Sequence, residues 1–258
     1  MLQQTPTSRV LGPWRRFVDS FPTATACAEA SLADVLRHWD GLGYPRRAKA
    51  LHETARRIRD DFAGEVPSEV IALRSLPGVG EYTAHAVASF AFGRPVAVLD
   101  TNVGRVLARA LENRSLGSRD ARDVARALLP RRDVASFNQS MLDLGAQFCR
   151  SAPRCAQCPV AKVCRWRREG GDDPAPGSAA VSRRQSPFEG SDRQIRGRVL
   201  AELLSGGRAG VGLRASLVDV EVSRYESILE GLVADGLVER RGRWLHLTGD
   251  GPRCEAGR

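Results

Sequence analysis

Residues 76–93 read LPGVGEYTAHAVASFAFG, and residues 96–110 read VAVLDTNVGRVLARA. In the first stretch Pro77, Gly78, Val79 and Gly80 form a tight turn that feeds a helix. Such a turn exposes backbone N–H groups beside a helix N-terminus, which suits a phosphate. Alone, PGVG reads equally well as a plain turn. The second stretch runs apolar and then places Asp100 at the head of another helix, where Asp100 or Thr101 reads as an ordinary N-cap. The order raises these above local motifs: a hairpin, then an isolated acidic residue about twenty positions on, then four cysteines.

Those cysteines follow the pattern Cys149-x5-Cys155-x2-Cys158-x5-Cys164. Four thiols this close, in a chain with no export signal ahead of them, suggest metal or cluster ligation in preference to disulfides. Structural zinc sites usually carry two C-x2-C-like knuckles split by a longer loop; here only Cys155 and Cys158 form such a pair. The spacing favours a [4Fe–4S] cube wrapped by one continuous loop, with zinc as the alternative. Arg150, Arg154, Lys162, Arg165, Arg167 and Arg168 surround the ligands and read as phosphate contacts or as solvated charge. Cys27 and Cys254 stand alone, and His38, His52, His85 and His246 are scattered; none is assigned a role.

Working outward, residues 1–148 are expected to be mostly helical. Leu32, Val35, Leu36 and Trp39 recur at helical spacing, as do Val103, Val106, Leu107 and Ala110, and Phe137, Met141, Leu144 and Phe148. Breakers at 41–45 (GLGYP) and 76–80 separate them, and no alternating strand pattern occurs in this half. Residues 169–190 are rich in Gly, Pro, Ser and Ala, a linker composition. Beyond them, two helical patterns precede VERRGRWLHL at 238–247, which reads as two short strands around Arg241-Gly242. This suggests a winged-helix-like module over 191–258. The expected organisation is thus 1–168, a linker at 169–190, and 191–258.

Composition is consistent with this. The 258 residues are 42% hydrophobic, enough for a packed core. Lys and Arg exceed Asp and Glu by 39 to 30, a net charge of +9, which suits a polyanionic partner such as nucleic acid. No apolar run approaches membrane-spanning length, so the expected setting is cytoplasmic, with no membrane partner.

Taken together, MLQQT at 1–5, GLGYPRRAKALH at 41–52, LPGVGEYTA at 76–84, LDTNVGRVLAR at 99–109, FNQSMLDLGAQFC at 137–149 and the cysteine loop resemble the iron–sulfur helix-hairpin-helix DNA base-excision glycosylases. Within that superfamily they resemble the A/G-specific adenine glycosylases of the MutY type. The resemblance spans roughly residues 1–168. It implies a mostly α glycosylase fold with a [4Fe–4S] cluster on the four cysteines. It also implies a monomer that binds double-stranded DNA containing A:8-oxoguanine or A:G mispairs, flips out the adenine and cuts it from its sugar. Gln3, Gln4 and Tyr44 would serve at the lesion, with Leu2 beside the wedge and Pro77, Gly78, Val79 and Gly80 on the DNA backbone. Asp100 matches the sugar-side carboxylate, and Asn102 its polar partner. Tyr82 stands where bifunctional relatives carry a Schiff-base lysine, so a monofunctional hydrolase is implied and a pyrimidine glycosylase with a hairpin lysine is disfavoured.

Three departures qualify the resemblance. The family's proton-donating glutamate lies upstream of MLQQT, so a chain opening at Met1 is expected to lack it, through a start assigned too late or a truncation. Loss of a general acid costs on the order of 10²–10⁴ in rate, and a catalytically inactive lesion-binding protein is the alternative reading. The first cysteine gap is five residues where six is usual. Finally, the region after 190 does not resemble the Nudix-like domain of longer relatives.

Overall fold

The computed structural model describes residues 1–3, 5–181 and 187–251; Gln4 and Cys254 therefore lie outside the described residues. The chain forms two compact units. The first comprises Met1–Pro67, Leu76–Gly78 and the chain from Ser186 onward; the second comprises Ser68–Ser75 and Val79–Gln185.

The first unit opens with four helices: α1 (Thr7–Ser20), α2 (Ala24–Glu29), α3 (Leu32–His38) and α4 (Arg46–Asp61). Thr23 and Ser31 cap α2 and α3 by accepting from the amides of Ala26 and Asp34. As the spacing predicts, Leu32, Val35, Leu36 and Trp39 are buried.

The second unit holds α5 (Val70–Arg74), α6 (Glu81–Phe92) and α7 (Thr101–Val106), which runs into a π-helical turn at Leu107–Glu112. It continues with α8 (Ser118–Ala127), α9 (Val134–Gln147), a 3₁₀ turn at Cys155–Gln157 and α10 (Arg165–Glu169). Val103, Leu107, Leu116, Ala121 and Ala125 form a core here.

The chain from Ser186 returns to the first unit as α11 (Asp192–Leu204), β1 (Arg208–Ala209), α12 (Gly210–Ala215), α13 (Val222–Ala234), β2 (Val238–Arg241) and β3 (Trp244–Leu247). The antiparallel sheet is ordered β1-β3-β2, with Arg241 opposite Trp244. Gly242 (φ +61°) leads the two-residue turn between β2 and β3, as a type II′ hairpin requires. This order of helices and strands is the winged-helix arrangement. Its apolar residues Ile195, Val199, Leu232 and Leu247 join Val35, Leu36 and Trp39 in one core. Asp235 anchors it further, accepting from Arg46 on α4 at 2.7 and 2.5 Å and from Arg196 on α11. Among the described residues no helix is long and apolar enough to cross a membrane.

Residues 173–181, within the stretch of linker composition, are laid against the second unit by specific contacts. The Asp173 carboxylate takes two hydrogen bonds from Arg109, at 2.7 and 2.5 Å. Ser178 accepts from the Leu116 amide at 3.1 Å, and Ala179 donates to the Leu116 carbonyl at 2.7 Å. Thr101 donates to the Ala180 carbonyl. Gly104 of α7 lies so close that a Cβ there would meet the Ala179 oxygen at 2.8 Å.

Candidate active site

The hairpin turn is held from α4. Thr54 donates to the Pro77 carbonyl at 2.7 Å. Gly78 adopts φ +71°, and a Cβ at that position would stand 2.6 Å from the Ala50 Cβ. Both the backbone angle and the contact therefore demand glycine. Gly80 is the N-cap residue of α6, and no side chain caps that first turn. Gly78 and Gly80 are exposed, so the turn can receive an acceptor from outside, such as a phosphate oxygen.

Tyr82 lies on the first turn of α6 and is 41% exposed. Burial raises its phenol pKa, and the Asp100 carboxylate raises it further. The structure thus brings Tyr82 and Asp100 within electrostatic reach.

Asp100 is the N-cap of α7 and more than a cap. Its Oδ1 accepts from the amides of Asn102 and Val103, both at 2.8 Å, and its Oδ2 accepts from Asn102 Nδ2 at 2.8 Å. The carboxylate is clamped in one attitude by these three N–H groups. Asn102 is fixed in turn, its Oδ1 accepting from Arg105 at 2.6 Å. Arg105, buried, also donates to the carbonyls of Cys149 (2.7 Å) and Gly145 (3.0 Å). A Cβ on Gly145 would lie 2.5 Å from the Asn102 carbonyl oxygen, so α9 rests directly on the first turn of α7. The extended run before Asp100 is pinned by buried Asn138, which accepts from the Val98 amide and donates to the Val96 carbonyl and Ser89 hydroxyl.

The four clustered cysteines follow α9 in one loop and line one small pocket. Cys149 follows the C-cap of α9, Cys155 and Cys158 bracket the 3₁₀ turn, and Cys164 is the N-cap residue of α10. Among the described residues, no three His, Cys, Asp or Glu side chains converge closely enough for a single metal ion. The donor set nonetheless fits an anionic thiolate cluster. Beneath it the π-helical turn carries Arg109, only 1% exposed, which reaches Cys149 Sγ at 3.6 Å and the Arg150 carbonyl at 2.5 Å. Burial alone would lower the Arg109 pKa; the hydrogen bonds and charges of Asp173 and Cys149 outweigh it and raise it. The Trp166 ring lies 5.4 Å from this guanidinium. Arg150, Arg154, Lys162 and Arg168 face solvent from the same loop.

A third group lies in the first unit. Leu2 is 61% exposed, Gln3 is exposed, and Thr5 is buried. Arg47, on the first turn of α4, ties these residues to the GLGYP loop. It donates to the carbonyls of Met1 (3.0 Å), Gln3 (2.6 Å), Leu42 (3.0 Å) and Gly43 (3.2 Å), and to Thr5 Oγ1 (3.1 Å). Tyr44 is half-buried in the left-handed region at φ +48°, after Gly41 at +78° and Gly43 at +69°. The Arg47 guanidinium sits over its ring at 5.4 Å. Sequence reasoning missed Arg47, Arg105, Arg109 and Asn138. The first three carry only a weak signal, an arginine inside or just after a recognised motif.

Comparison with known proteins bears on what these groups serve. Residues 1–131 match the family model described as HhH-GPD superfamily base excision DNA repair protein. The chain belongs to that superfamily. The adenine DNA glycosylase of Mycobacterium tuberculosis (strain ATCC 25618 / H37Rv) is 46% identical over 264 residues, covering 97% of this chain and 84% of the relative. Among solved structures, a thermostable thymine-DNA glycosylase superposes with a TM-score of 0.60 at 27% identity, over 65% of this chain and 80% of its own. A trapped endonuclease III–DNA covalent intermediate, an estranged-adenine complex, gives a TM-score of 0.57 at 26% identity, over 64% and 79%. The helix-hairpin-helix fold expected from the sequence is therefore the fold observed, and the chain is a base-excision DNA glycosylase.

Proposed function

We propose that this glycosylase removes adenine paired with 8-oxoguanine or guanine from double-stranded DNA, by hydrolysis and without a lyase step. The observation that carries this reading is the clamped Asp100 carboxylate beside Tyr82, in a chain with the MLQQT and GLGYP motifs. A stacked base cannot be reached in the duplex, so the nucleotide must be extruded at a cost of about a few kcal/mol. Leu2, Gln3 and Tyr44 are offered to the mispair to offset that unstacking. The hairpin amides of Gly78, Val79 and Gly80, in the turn that Pro77 opens, hold the backbone phosphate.

Breaking the bond from C1′ to the base leaves positive charge on the sugar. The Asp100 carboxylate, fixed by its three N–H donors, stabilises that charge without reorganising. Water adds to C1′ and loses a proton, and the departing adenine gains one. Tyr82 offers no amine to form a Schiff base, so the reaction ends at hydrolysis. Cys149, Cys155, Cys158 and Cys164 would hold a [4Fe–4S] cluster, which supplies a rigid cross-link for the loop presenting Arg150, Arg154, Lys162 and Arg168 to DNA.

The test is single-turnover adenine release from duplexes containing A:8-oxoguanine, A:G and A:T. Release from the two mispairs is expected, with Asp100→Asn slower by on the order of 10²–10³-fold. Release by Asp100→Asn at the unaltered rate would refute the assignment. The purified protein is also expected to absorb near 400 nm.

A further inference from the structure

Tyr44 is held at its ring and at its hydroxyl. Arg47 covers its ring, and Arg193 of α11 donates to its hydroxyl at 3.0 Å. A bulky residue at positive φ costs energy and persists where its surroundings over-determine it. Arg193 comes from the winged-helix module, 149 residues along the chain, and its helix is braced. Arg196, one turn on, shares the Asp235 carboxylate with Arg46 at the start of α4, the helix that follows Tyr44. At the head of α11, Gln194 accepts from the Gly190 amide at 2.7 Å, and Arg224 of α13 bonds Asp192 at 2.8 Å and the Gly190 carbonyl at 2.6 Å. The guanidinium that reaches Tyr44 therefore starts from a fixed frame.

We propose that Arg193 is a positioning residue for mispair recognition: through it, the winged-helix module sets the attitude in which the Tyr44 ring meets the duplex. The inference rests on the reading of Tyr44 as a lesion contact. It gives this module a part in discrimination, exercised on the tyrosine instead of on the base.

The test uses the full chain and the ratio of two dissociation constants, measured by fluorescence anisotropy. One duplex carries non-cleavable 2′-fluoro-2′-deoxyadenosine opposite 8-oxoguanine, the other opposite thymine. Taking the ratio on one preparation cancels the folded fraction. Arg193→Ala and Tyr44→Phe should each lower the selectivity about five- to tenfold, as expected for the net contribution of one partly solvated hydrogen bond. The double variant should lose no more than either single, because both remove the same contact. Arg193→Lys should recover part of the loss. Unchanged selectivity in Arg193→Ala, or losses that multiply in the double variant, would overturn the proposal. Tyr44→Ala separates the two readings. If it too keeps full selectivity, the lesion-contact reading of Tyr44 fails. If it loses selectivity while Arg193→Ala and Tyr44→Phe keep it, only the role of Arg193 fails.

Discussion

Replacing Asp173 by asparagine should destabilise the second unit strongly, although its position in a stretch of linker composition predicts almost no effect. The Arg109 side chain is 2% exposed and the Asp173 side chain 29%. Two hydrogen bonds join them, and the same guanidinium holds Cys149 Sγ and the Arg150 carbonyl. Removing one partner of a buried ion pair costs about 3–5 kcal/mol, since the other charge stays buried and uncompensated. Asparagine keeps one acceptor and Asp173 is partly solvated, so the expected loss is about 2–3 kcal/mol. In urea that is a midpoint shift of roughly 1 M, followed by tryptophan fluorescence because Trp166 lies against Arg109. The pH dependence supplies an independent check. Hydrogen bonding from Arg109 holds the Asp173 carboxyl below its ordinary value, against an opposing contribution from burial. Its stabilisation is fully present above the unfolded carboxylate pKa of about 3.9 and is lost as pH falls through the lower folded value. The difference between Asp173 and the asparagine variant should therefore be largest at neutral pH and shrink below about pH 4. A midpoint change under about 0.2 M at pH 7, or a difference independent of pH, would refute the reasoning.

Two further substitutions probe how Asp100 is held. Gly145→Ala places a methyl 2.5 Å from the Asn102 carbonyl oxygen. It should cost about 1–3 kcal/mol of stability and slow adenine release more than it weakens DNA binding; a purely proportional loss of both would speak against it. Asn138→Ala strips partners from the Val98 amide, the Val96 carbonyl and the Ser89 hydroxyl. A loss of about 2–3 kcal/mol in thermal or urea unfolding is expected, and a loss below about 0.5 kcal/mol would show that these groups find other partners.

Local periodicity carried much of the fold. The stripe at Leu32–Trp39 forms the helix it predicts, because an apolar face repeating every three to four residues has one good way to be buried. The stripe at Phe137–Phe148 also falls on a helix, but it is only half-buried, and the buried face of α9 is Val134, Asn138 and Gly145. The two strands of the hairpin were legible because a glycine between two short segments marks a turn, but the turn is Gly242-Arg243, one residue later than expected, since Arg241 pairs with Trp244. The docking of residues 173–181 was not legible. Gly, Pro and Ser report that a segment avoids helix, not that it is loose. What holds this one is an ion pair to Arg109, 64 residues earlier, and a flat glycine at 104. Neither leaves a local trace. Asp100 illustrates the opposite limit: a short-range rule recognised it correctly as an N-cap, yet that rule alone could not see Tyr82 beside it.

The basic charge suits a polyanionic partner, and the structure divides that charge. Several arginines face inward on backbone carbonyls that no helix or strand satisfies. Arg47 takes those of Met1, Gln3, Leu42 and Gly43; Arg105 those of Gly145 and Cys149; Arg109 those of Arg150 and Ser151; Arg214 those of Leu217 and Val220. A guanidinium suits this because it offers five N–H donors in a rigid fork, whereas an ammonium is a point charge on a flexible stem. Each of the three constellations here depends on such a fork: the Met1–Thr5 corner on Arg47, the Asp100 clamp on Arg105, the cysteine loop on Arg109. The net charge therefore overstates what is available to DNA. The phosphate-facing share is better sought at Arg150, Arg154, Lys162 and Arg168, which stand in solvent. Neutralising these should weaken DNA binding in a salt-dependent way, whereas replacing the inward forks should break the loops they hold.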